Sequence, residues 1–196
     1  MYTISKICVN LKNWARHSRS RKSDNLKEVK LALIFIPVAY FSFLFHELGH
    51  WLVGEILGND MILSLNGTRP KSGQYIENTS FYITCGGVCF TILLIIIFWY
   101  VIEKYKIVYF YPIVFFNFFF RLFTFALRFD SQDEAKISAF LGIGKYTIAI
   151  IVLISLFLIT WRVSHVLKRN YKDNLLFVIV SVVCIFLILL TNELLF

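Results

Sequence analysis

Charged residues are scarce in this chain of 196 residues: Asp, Glu, Lys and Arg together make up 16% of it, whereas 58% of the residues are hydrophobic. Acidic residues are the scarcer sign, since 12 Asp and Glu stand against 20 Lys and Arg. With a mean hydropathy of +0.71, the chain is far more apolar than an ordinary soluble domain. The composition is that of an integral membrane protein.

Long apolar runs account for this composition. Five segments each reach the roughly 20 residues that a helix needs to cross the hydrocarbon core of a bilayer. The segments are residues 31–57, 81–102, 107–127, 137–161 and 175–195. We therefore predict an all-α fold, a polytopic transmembrane helical bundle of about five spans, with residues 31–196 as a single transmembrane domain.

Basic residues give the chain its net charge of +8, and they concentrate in three places. These are the tail of residues 1–30 and the short segments 103–106 and 162–173. If all five segments cross the membrane, the three places fall on one side, and basic residues near span ends stay in the cytoplasm. We therefore expect a tail that is cytoplasmic or lies on the membrane surface. No folded basic domain is recognisable, so attraction to anionic lipid is favoured over nucleic-acid binding.

Two further features are lacking. The apolar run after the basic tail leads into bulky polar residues rather than a small-residue cleavage site, which argues against a cleavable signal peptide. The sequence has no internal repeat, which counts against a secondary transporter. Cysteines are few: Cys8, Cys85, Cys89 and Cys184. Cys85 and Cys89 lie one helical turn apart in an apolar segment, and we interpret them as small packing residues rather than as a disulfide or metal pair.

The main polar connection is residues 58–80, after the first apolar run. Residues 61–65 read Met-Ile-Leu-Ser-Leu, and glycine and proline follow at Gly67 and Pro70. This pattern predicts a short strand and turn, with a hairpin that dips into the membrane. Irregular backbone at such depth must be buried in protein or line a wet cavity.

Two histidines and a glutamate, His46, Glu47 and His50, lie inside the first apolar run. On a helix, residues four apart share one face with β-carbons about 5–6 Å apart, so both imidazoles can bind one Zn²⁺. Glu47 is then placed as the general base for a water molecule that the metal activates. This is the His-Glu-x-x-His arrangement of zinc metalloproteases. Ionisable groups at bilayer depth need a compensating partner, which a metal supplies; the alternative is a solvated motif at the membrane edge.

A hydrolytic zinc site also needs a third protein ligand. Acidic residues cluster between two apolar runs, at Asp130, Asp133 and Glu134. We favour this cluster as the source of the third ligand, and the residues alone leave Asp130, Asp133 and Glu134 open as the metal ligand. The competing interpretations of this cluster are a solvated loop and a helix N-cap formed by Asp133.

Taken together, these motifs resemble the site-2 protease family of intramembrane zinc metalloproteases. The resemblance rests on a transmembrane helix with His-Glu-Leu-Gly-His at residues 46–50, a later apolar segment with Gly86-Gly87, and an aspartate at the start of a further span. It covers most of residues 31–141, which form the protease-like core. The family's Leu-Asp-Gly signature reads Gln132-Asp133-Glu134 here, so the chain would be a minimal and divergent member.

The resemblance implies a role for each matching residue. His46, His50 and Asp133 would hold the zinc ion, and Glu47 would be the catalytic base. Gly86-Gly87 resembles the family's Gly-Pro step in the second helix.

Two arginines flank the acidic cluster, at Arg121 and Arg128. We expect both to extend toward the membrane interface, because long cationic side chains at span ends reach for water. The alternative is an Arg121 that faces the bundle and there pairs with an acid or orients a substrate carbonyl.

We therefore predict an intramembrane zinc metalloprotease that hydrolyses a peptide bond in or next to the membrane. Its partners would be the lipid bilayer and a membrane-protein or peptide substrate, and its location the bacterial cell membrane, as the frequent Phe, Ile, Asn and Lys indicate. Two alternatives stay open. One is a non-catalytic metal-binding or peptide-binding membrane protein, and the other is a peptide or ion transporter.

Overall fold

A computed structural model describes residues 2–65, 67–127 and 132–195, with side chains over the same ranges between residues 29 and 194. These residues form six α-helices and one two-stranded antiparallel sheet. The helices are α1 (Tyr2–Ile56), α2 (Ser80–Tyr105), α3 (Tyr111–Leu127), α4 (Asp133–Leu141), α5 (Thr147–Val166) and α6 (Tyr171–Leu195), and the strands are β1 (Met61–Ser64) and β2 (Gly67–Pro70). The predicted helical architecture, with a short strand segment after the first span, is confirmed.

Five of the described helical segments are long and apolar enough to cross a membrane. They are Val29–Ile56, Ser80–Tyr105, Val108–Leu127, Thr147–Val166 and Tyr171–Leu194. Large apolar side chains cover their outer surfaces, as with Leu33 on α1, Ile154 on α5 and Phe186 on α6, all more than half exposed. Lipid solvates such surfaces, whereas water does not. The prediction of a multi-pass membrane protein with five spans is confirmed.

The predicted start of the fourth span, at residue 137, is wrong. Residues 137–141 belong to α4, which ends at Gly142, a residue with a φ of +66°; Gly144 follows with a φ of +93°. Left-handed backbone of this kind suits glycine and terminates a helix. The crossing helix α5 begins only at Thr147. Apolar residues on both sides of the two glycines hid the break from a hydropathy-based prediction.

Helix α1 lies at the centre of the bundle and packs against α2, α3 and α6. An aromatic cluster joins three of these helices. Phe35 of α1 contacts Phe115 of α3 and Phe177 of α6, with ring centroids 6.2 and 4.9 Å apart. All three rings are buried. This packing fixes α1 between its neighbours and leaves its C-terminal half against α2.

The two short basic segments lie at the same end of the bundle. Arg162 Nε at the end of α5 donates to Glu103 Oε1 at the end of α2, 2.6 Å away. Close by, the Tyr111 hydroxyl donates to Asn174 Oδ1 at the start of α6, at 2.8 Å. This is the arrangement expected if every span crosses the membrane. His50 lies near the C-terminal end of α1, and therefore toward the opposite end of the bundle.

The polar connection after α1 contains the predicted hairpin. Strands β1 and β2 pair in a register that sets Leu63 opposite Thr68. Two contacts tie the hairpin to α1: the Met61 amide donates to Glu55 Oε1 at 2.9 Å, and the Met61 side chain packs on Gly54. A β-carbon at Gly54 would come within 2.6 Å of Met61, so the contact requires glycine. The hairpin thus folds back along α1 and carries β2 to the side of Glu47.

Candidate metal centre

Three side chains from two helices converge on one point. His46 and His50 lie one turn apart on α1, and their Nε2 atoms are 3.1 Å apart. Oδ2 of Asp133, the first residue of α4, lies 3.1 Å from each of these two nitrogens. In a tetrahedral zinc site with bonds of about 2.0–2.1 Å, neighbouring ligand atoms are about 3.3–3.4 Å apart. The three atoms therefore form a nearly equilateral triangle of the size that such a site needs.

Both imidazoles are oriented by hydrogen bonds to α2. His50 Nδ1 lies 2.7 Å from the carbonyl oxygen of Ile83, and His46 Nδ1 lies 2.8 Å from that of Gly87 and 2.9 Å from Thr91 Oγ1. A carbonyl oxygen only accepts, so each Nδ1 carries the proton and donates it. Each Nε2 then directs a lone pair toward Asp133. Such outer hydrogen bonds fix the tautomer and the ring orientation of metal-binding histidines.

The three converging atoms are all acceptors in this arrangement. A carboxylate and two imidazole lone pairs at 3.1 Å from one another repel unless a cation or a proton lies among them. The donor set of two imidazole nitrogens and one carboxylate oxygen suits zinc.

Glycines allow α1 and α2 to meet at the centre. A β-carbon at Gly87 would overlap Nε2 of His50, and one at Gly86 would come within 2.5 Å of the Gly49 carbonyl oxygen. The reverse also holds, since a β-carbon at Gly49 would come within 2.5 Å of the Gly86 oxygen. The sequence singled out Gly86-Gly87 only by resemblance; packing gives the physical reason for both residues.

Glu47 lies beside the triangle but outside it. Its carboxylate and the two histidine nitrogens lie within 4.8 Å of one another. Glu47 is 8% exposed, and Thr68 Oγ1 on β2 donates to its Oε2 at 2.9 Å. The same hydroxyl lies 3.2 Å from the Glu47 carbonyl oxygen. The hairpin therefore holds the Glu47 carboxylate next to the two histidines.

Neither of the other two acidic candidates, Glu134 and Asp130, is seen to contact the histidines in the described part of the chain. Glu134 turns away from the histidines and pairs with Arg121, with Glu134 Oε1 3.3 Å from Arg121 Nε and Oε2 3.3 Å from Nη1. The expectation that Arg121 reaches for the interface is therefore wrong, because it is 7% exposed and its charge is neutralised inside the bundle. Asp130 and Arg128 lie outside the described residues. The carboxylate that meets the histidines is that of Asp133, and the N-cap of α4 is Gln132 instead.

Four residues at this site were not identified from the sequence: Thr68, Tyr75, Thr91 and Lys136. Lys136 Nζ lies 3.3 Å from Asp133 Oδ1. Lys136 follows Asp133 by three residues, a spacing that predicts a contact between the two side chains on a helix. The Tyr75 hydroxyl lies 3.5 Å from the Thr68 carbonyl oxygen, and partial burial raises its pKa. Neither Thr68 nor Tyr75 has a sequence signal, because both meet the site through the fold of the hairpin.

A cavity of about 740 Å³ connects the triangle with two different environments. Toward the hairpin, polar side chains line it, among them Glu47, Thr68 and Lys136. Toward α3 and α6, large apolar side chains make up much of the lining, together with the polar residues Asn117, Arg121 and Thr124. The apolar lining residues include Phe43, Phe116, Phe120, Phe123, Ile185 and Leu189.

Comparison with known proteins gives this site no relative. No protein-family model, curated protein or solved structure matches the chain. The resemblance to the site-2 protease family therefore stays a prediction from the sequence motifs.

Proposed function

We propose that this membrane protein is an intramembrane zinc metalloprotease. The observation that carries the proposal is the triangle of His46 Nε2, His50 Nε2 and Asp133 Oδ2, with every side 3.1 Å, beside the buried Glu47. Three protein ligands leave a fourth position of a tetrahedral zinc site open, as in hydrolytic rather than structural sites. The setting within five membrane spans makes a substrate in the bilayer accessible.

Each residue of the site has a separate role in the proposed hydrolysis. His46, His50 and Asp133 would hold the zinc ion. Bound zinc supplies Lewis acidity, which polarises a substrate carbonyl and makes water a better nucleophile at neutral pH. Glu47 accepts the proton of the attacking water and returns it to the leaving amine nitrogen. Thr68 keeps the Glu47 carboxylate in place by donating to Oε2, so that the other oxygen is free for this transfer.

The substrate must present an unwound backbone, because in an intact helix the backbone groups are paired with one another. Strand β2 lies beside Glu47 and offers a strand edge on which an extended peptide can pair. Apolar side chains of the same peptide fit the phenylalanine-lined part of the cavity. We infer that the substrate is an apolar, membrane-embedded or membrane-adjacent segment of polypeptide.

We also propose that the site works in the outer half of a bacterial cell membrane. The basic segments around Arg162 and Lys106 lie at one end of the bundle, and such segments stay in the cytoplasm. The metal-binding residues lie toward the other end, near the hairpin.

Metal analysis tests the proposal directly. Protein purified in detergent without chelators is expected to contain about one zinc ion per chain, and both His46→Ala and Asp133→Ala are expected to lose it. Zinc that is lost with His46→Ala but retained with Asp133→Ala would shift the third ligand to another acid. Wild-type protein without bound metal would contradict the proposal and favour a peptide-binding or transport role.

A further inference from the structure

Both sequence neighbours of Asp133 are anchored to α3. The Gln132 amide donates to Thr124 Oγ1 through a short hydrogen bond and lies 3.4 Å from the Arg121 carbonyl oxygen. On the other side, Glu134 receives the guanidinium of Arg121, with Nη1 3.3 Å from Oε2 and Nε 3.3 Å from Oε1. Asp133 therefore lies between two residues whose side chains both bind α3, while its own carboxylate contacts the two histidines.

The ion pair between Arg121 and Glu134 is buried, and the packing of the helices does not by itself explain why charged residues occupy these positions. Glu134 is 1% exposed and Arg121 7%, so both charges are removed from water. A buried ion pair contributes little net stability, and apolar residues of similar volume often serve a fold equally well. The pair also reaches the metal centre through Thr91, because Arg121 Nη2 lies 3.4 Å from Thr91 Oγ1, and this oxygen lies 2.9 Å from His46 Nδ1. These contacts point to a role at the site.

Helix α4 needs such an anchor. It has nine residues, its N-cap Gln132 makes no side-chain capping bond, and it ends at Gly142. A helix this short has little independent stability, and tertiary contacts must fix its orientation. Asp133 is its first residue, so any rotation or fraying of the first turn moves the carboxylate away from the two imidazoles.

We propose that Arg121 is a positioning residue of the metal centre, which acts with Glu134 to hold the Asp133 carboxylate against His46 and His50. This inference rests on the proposed function, since it assigns Arg121 to the same site. It also explains two departures from the Leu-Asp-Gly signature. Gln132 stands where the family has leucine and Glu134 where it has glycine, and these two residues supply the anchors to α3.

Arginine has the geometry that this role requires. Its planar guanidinium donates from Nη1 to Glu134 Oε2, Nε lies 3.3 Å from Oε1 as an ion-pair contact, and Nη2 remains for Thr91 beside His46. Lysine would keep the charge but offers a single point of contact. Arg121→Lys is therefore expected to keep the fold but to bind metal more weakly than wild type.

The test measures Co²⁺ and Zn²⁺ affinity of the full chain in detergent, by competition with a chelator and from the visible spectrum of bound Co²⁺. Arg121→Gln and Glu134→Gln are expected to bind both metals about 10–100-fold more weakly than wild type, as for other groups that orient metal ligands. Their Co²⁺ spectra should lose the intensity typical of a four-coordinate site. Arg162→Gln is the matched control, because it removes an arginine–glutamate contact at the far end of the bundle, and its affinity should be unchanged.

A double-mutant cycle separates positioning from general destabilisation. If Arg121 acts through Asp133, then Asp133→Asn weakens metal binding much less in the Arg121→Gln background than in wild type. Additive effects would overturn the proposal. Thr124→Val removes only the hydroxyl that Gln132 contacts, so it tests the second anchor if Arg121→Gln does not yield folded protein.

The outcomes distinguish the two proposals. Wild-type affinity in Glu134→Gln and Thr124→Val would contradict the positioning role while leaving the metalloprotease intact. Absence of metal binding by the wild-type chain would contradict both.

Discussion

Gly87 of α2 lies against the imidazole of His50 on α1 with no space for a β-carbon. A methyl group built on Gly87 would overlap His50 Nε2 and come within 2.7 Å of His46 Cε1. The carbonyl oxygen of the same residue lies 2.8 Å from His46 Nδ1. One glycine therefore both makes room for the converging nitrogens and orients one of the rings, so the geometry of the centre depends on the approach of α2 to α1.

Gly87→Ala is expected to bind zinc at least about 10-fold more weakly than wild type, because the added methyl group must displace the two ligand nitrogens. Gly67→Ala is the matched control, since a β-carbon there meets only Ser64 Oγ, at 3.7 Å. Zinc content by elemental mass spectrometry, together with thermal unfolding, measures the effect. Full zinc content in folded Gly87→Ala would show that the two histidines do not hold the metal in this arrangement.

Glu47→Gln separates an enzyme from a binding protein. The substitution keeps the shape of the side chain and removes its basicity, so zinc content should stay at the wild-type level. Cleavage of a fluorogenic library of apolar peptides in proteoliposomes is expected to fall by about 10²–10⁴-fold, the usual contribution of general acid–base catalysis. Cleavage at the wild-type rate would exclude Glu47 as the base, and the absence of cleavage by the zinc-loaded wild type would favour a non-catalytic metal-binding protein.

Most of the helical architecture was predictable, because hydropathy reports membrane crossing directly. The first, second, third and fifth spans agree with the sequence prediction to within a few residues. The fourth span begins later than predicted, because the glycines at 142 and 144 separate two helices that lie within one apolar stretch of sequence. Termination by left-handed glycine is a local property of the backbone that a hydropathy average does not register.

The site was predictable only where its residues are close in sequence. His46, Glu47 and His50 follow from helical spacing, whereas the choice of Asp133 over Glu134 depended on resemblance. Both acids are adjacent at the start of α4, and only the fold shows that one faces the histidines and the other faces Arg121. The contact between Thr68 and Glu47 had no sequence signal, because it joins a strand to a helix across a hairpin.

Thr68 is expected to contribute to catalysis through Glu47. Thr68→Val removes the hydroxyl that donates to Glu47 Oε2 but keeps the volume and β-branching of the side chain. A hydrogen bond to a charged group is worth about 1.5–3 kcal/mol, so the rate of peptide cleavage should fall by about 10–100-fold with zinc content unchanged. Thr124→Val, on α3, is not a suitable control because it touches Gln132; Thr147→Val on α5 is remote from Glu47 and should cleave normally.

Strand β2 is expected to supply backbone pairing for the substrate. The two-residue connection between Ser64 and Gly67 makes these two a hydrogen-bonded pair, and such pairs alternate along antiparallel strands. The amide of Thr68 then points away from β1, toward the free edge. Thr68→Pro removes this donor as well as the hydroxyl, so its peptide KM should exceed that of Thr68→Val. Equal KM values in the two variants would exclude pairing at this position.

The orientation of the chain decides which compartment supplies the substrate. In a variant without its native cysteines, Ser72→Cys marks the exposed loop after the hairpin and Tyr105→Cys marks the basic end of α2. Because basic segments stay in the cytoplasm, a membrane-impermeant maleimide is expected to label Ser72→Cys in intact cells and Tyr105→Cys only after permeabilisation. The reverse pattern would assign the metal centre to the cytoplasmic half of the membrane, and the substrate segment would then have to enter from that side.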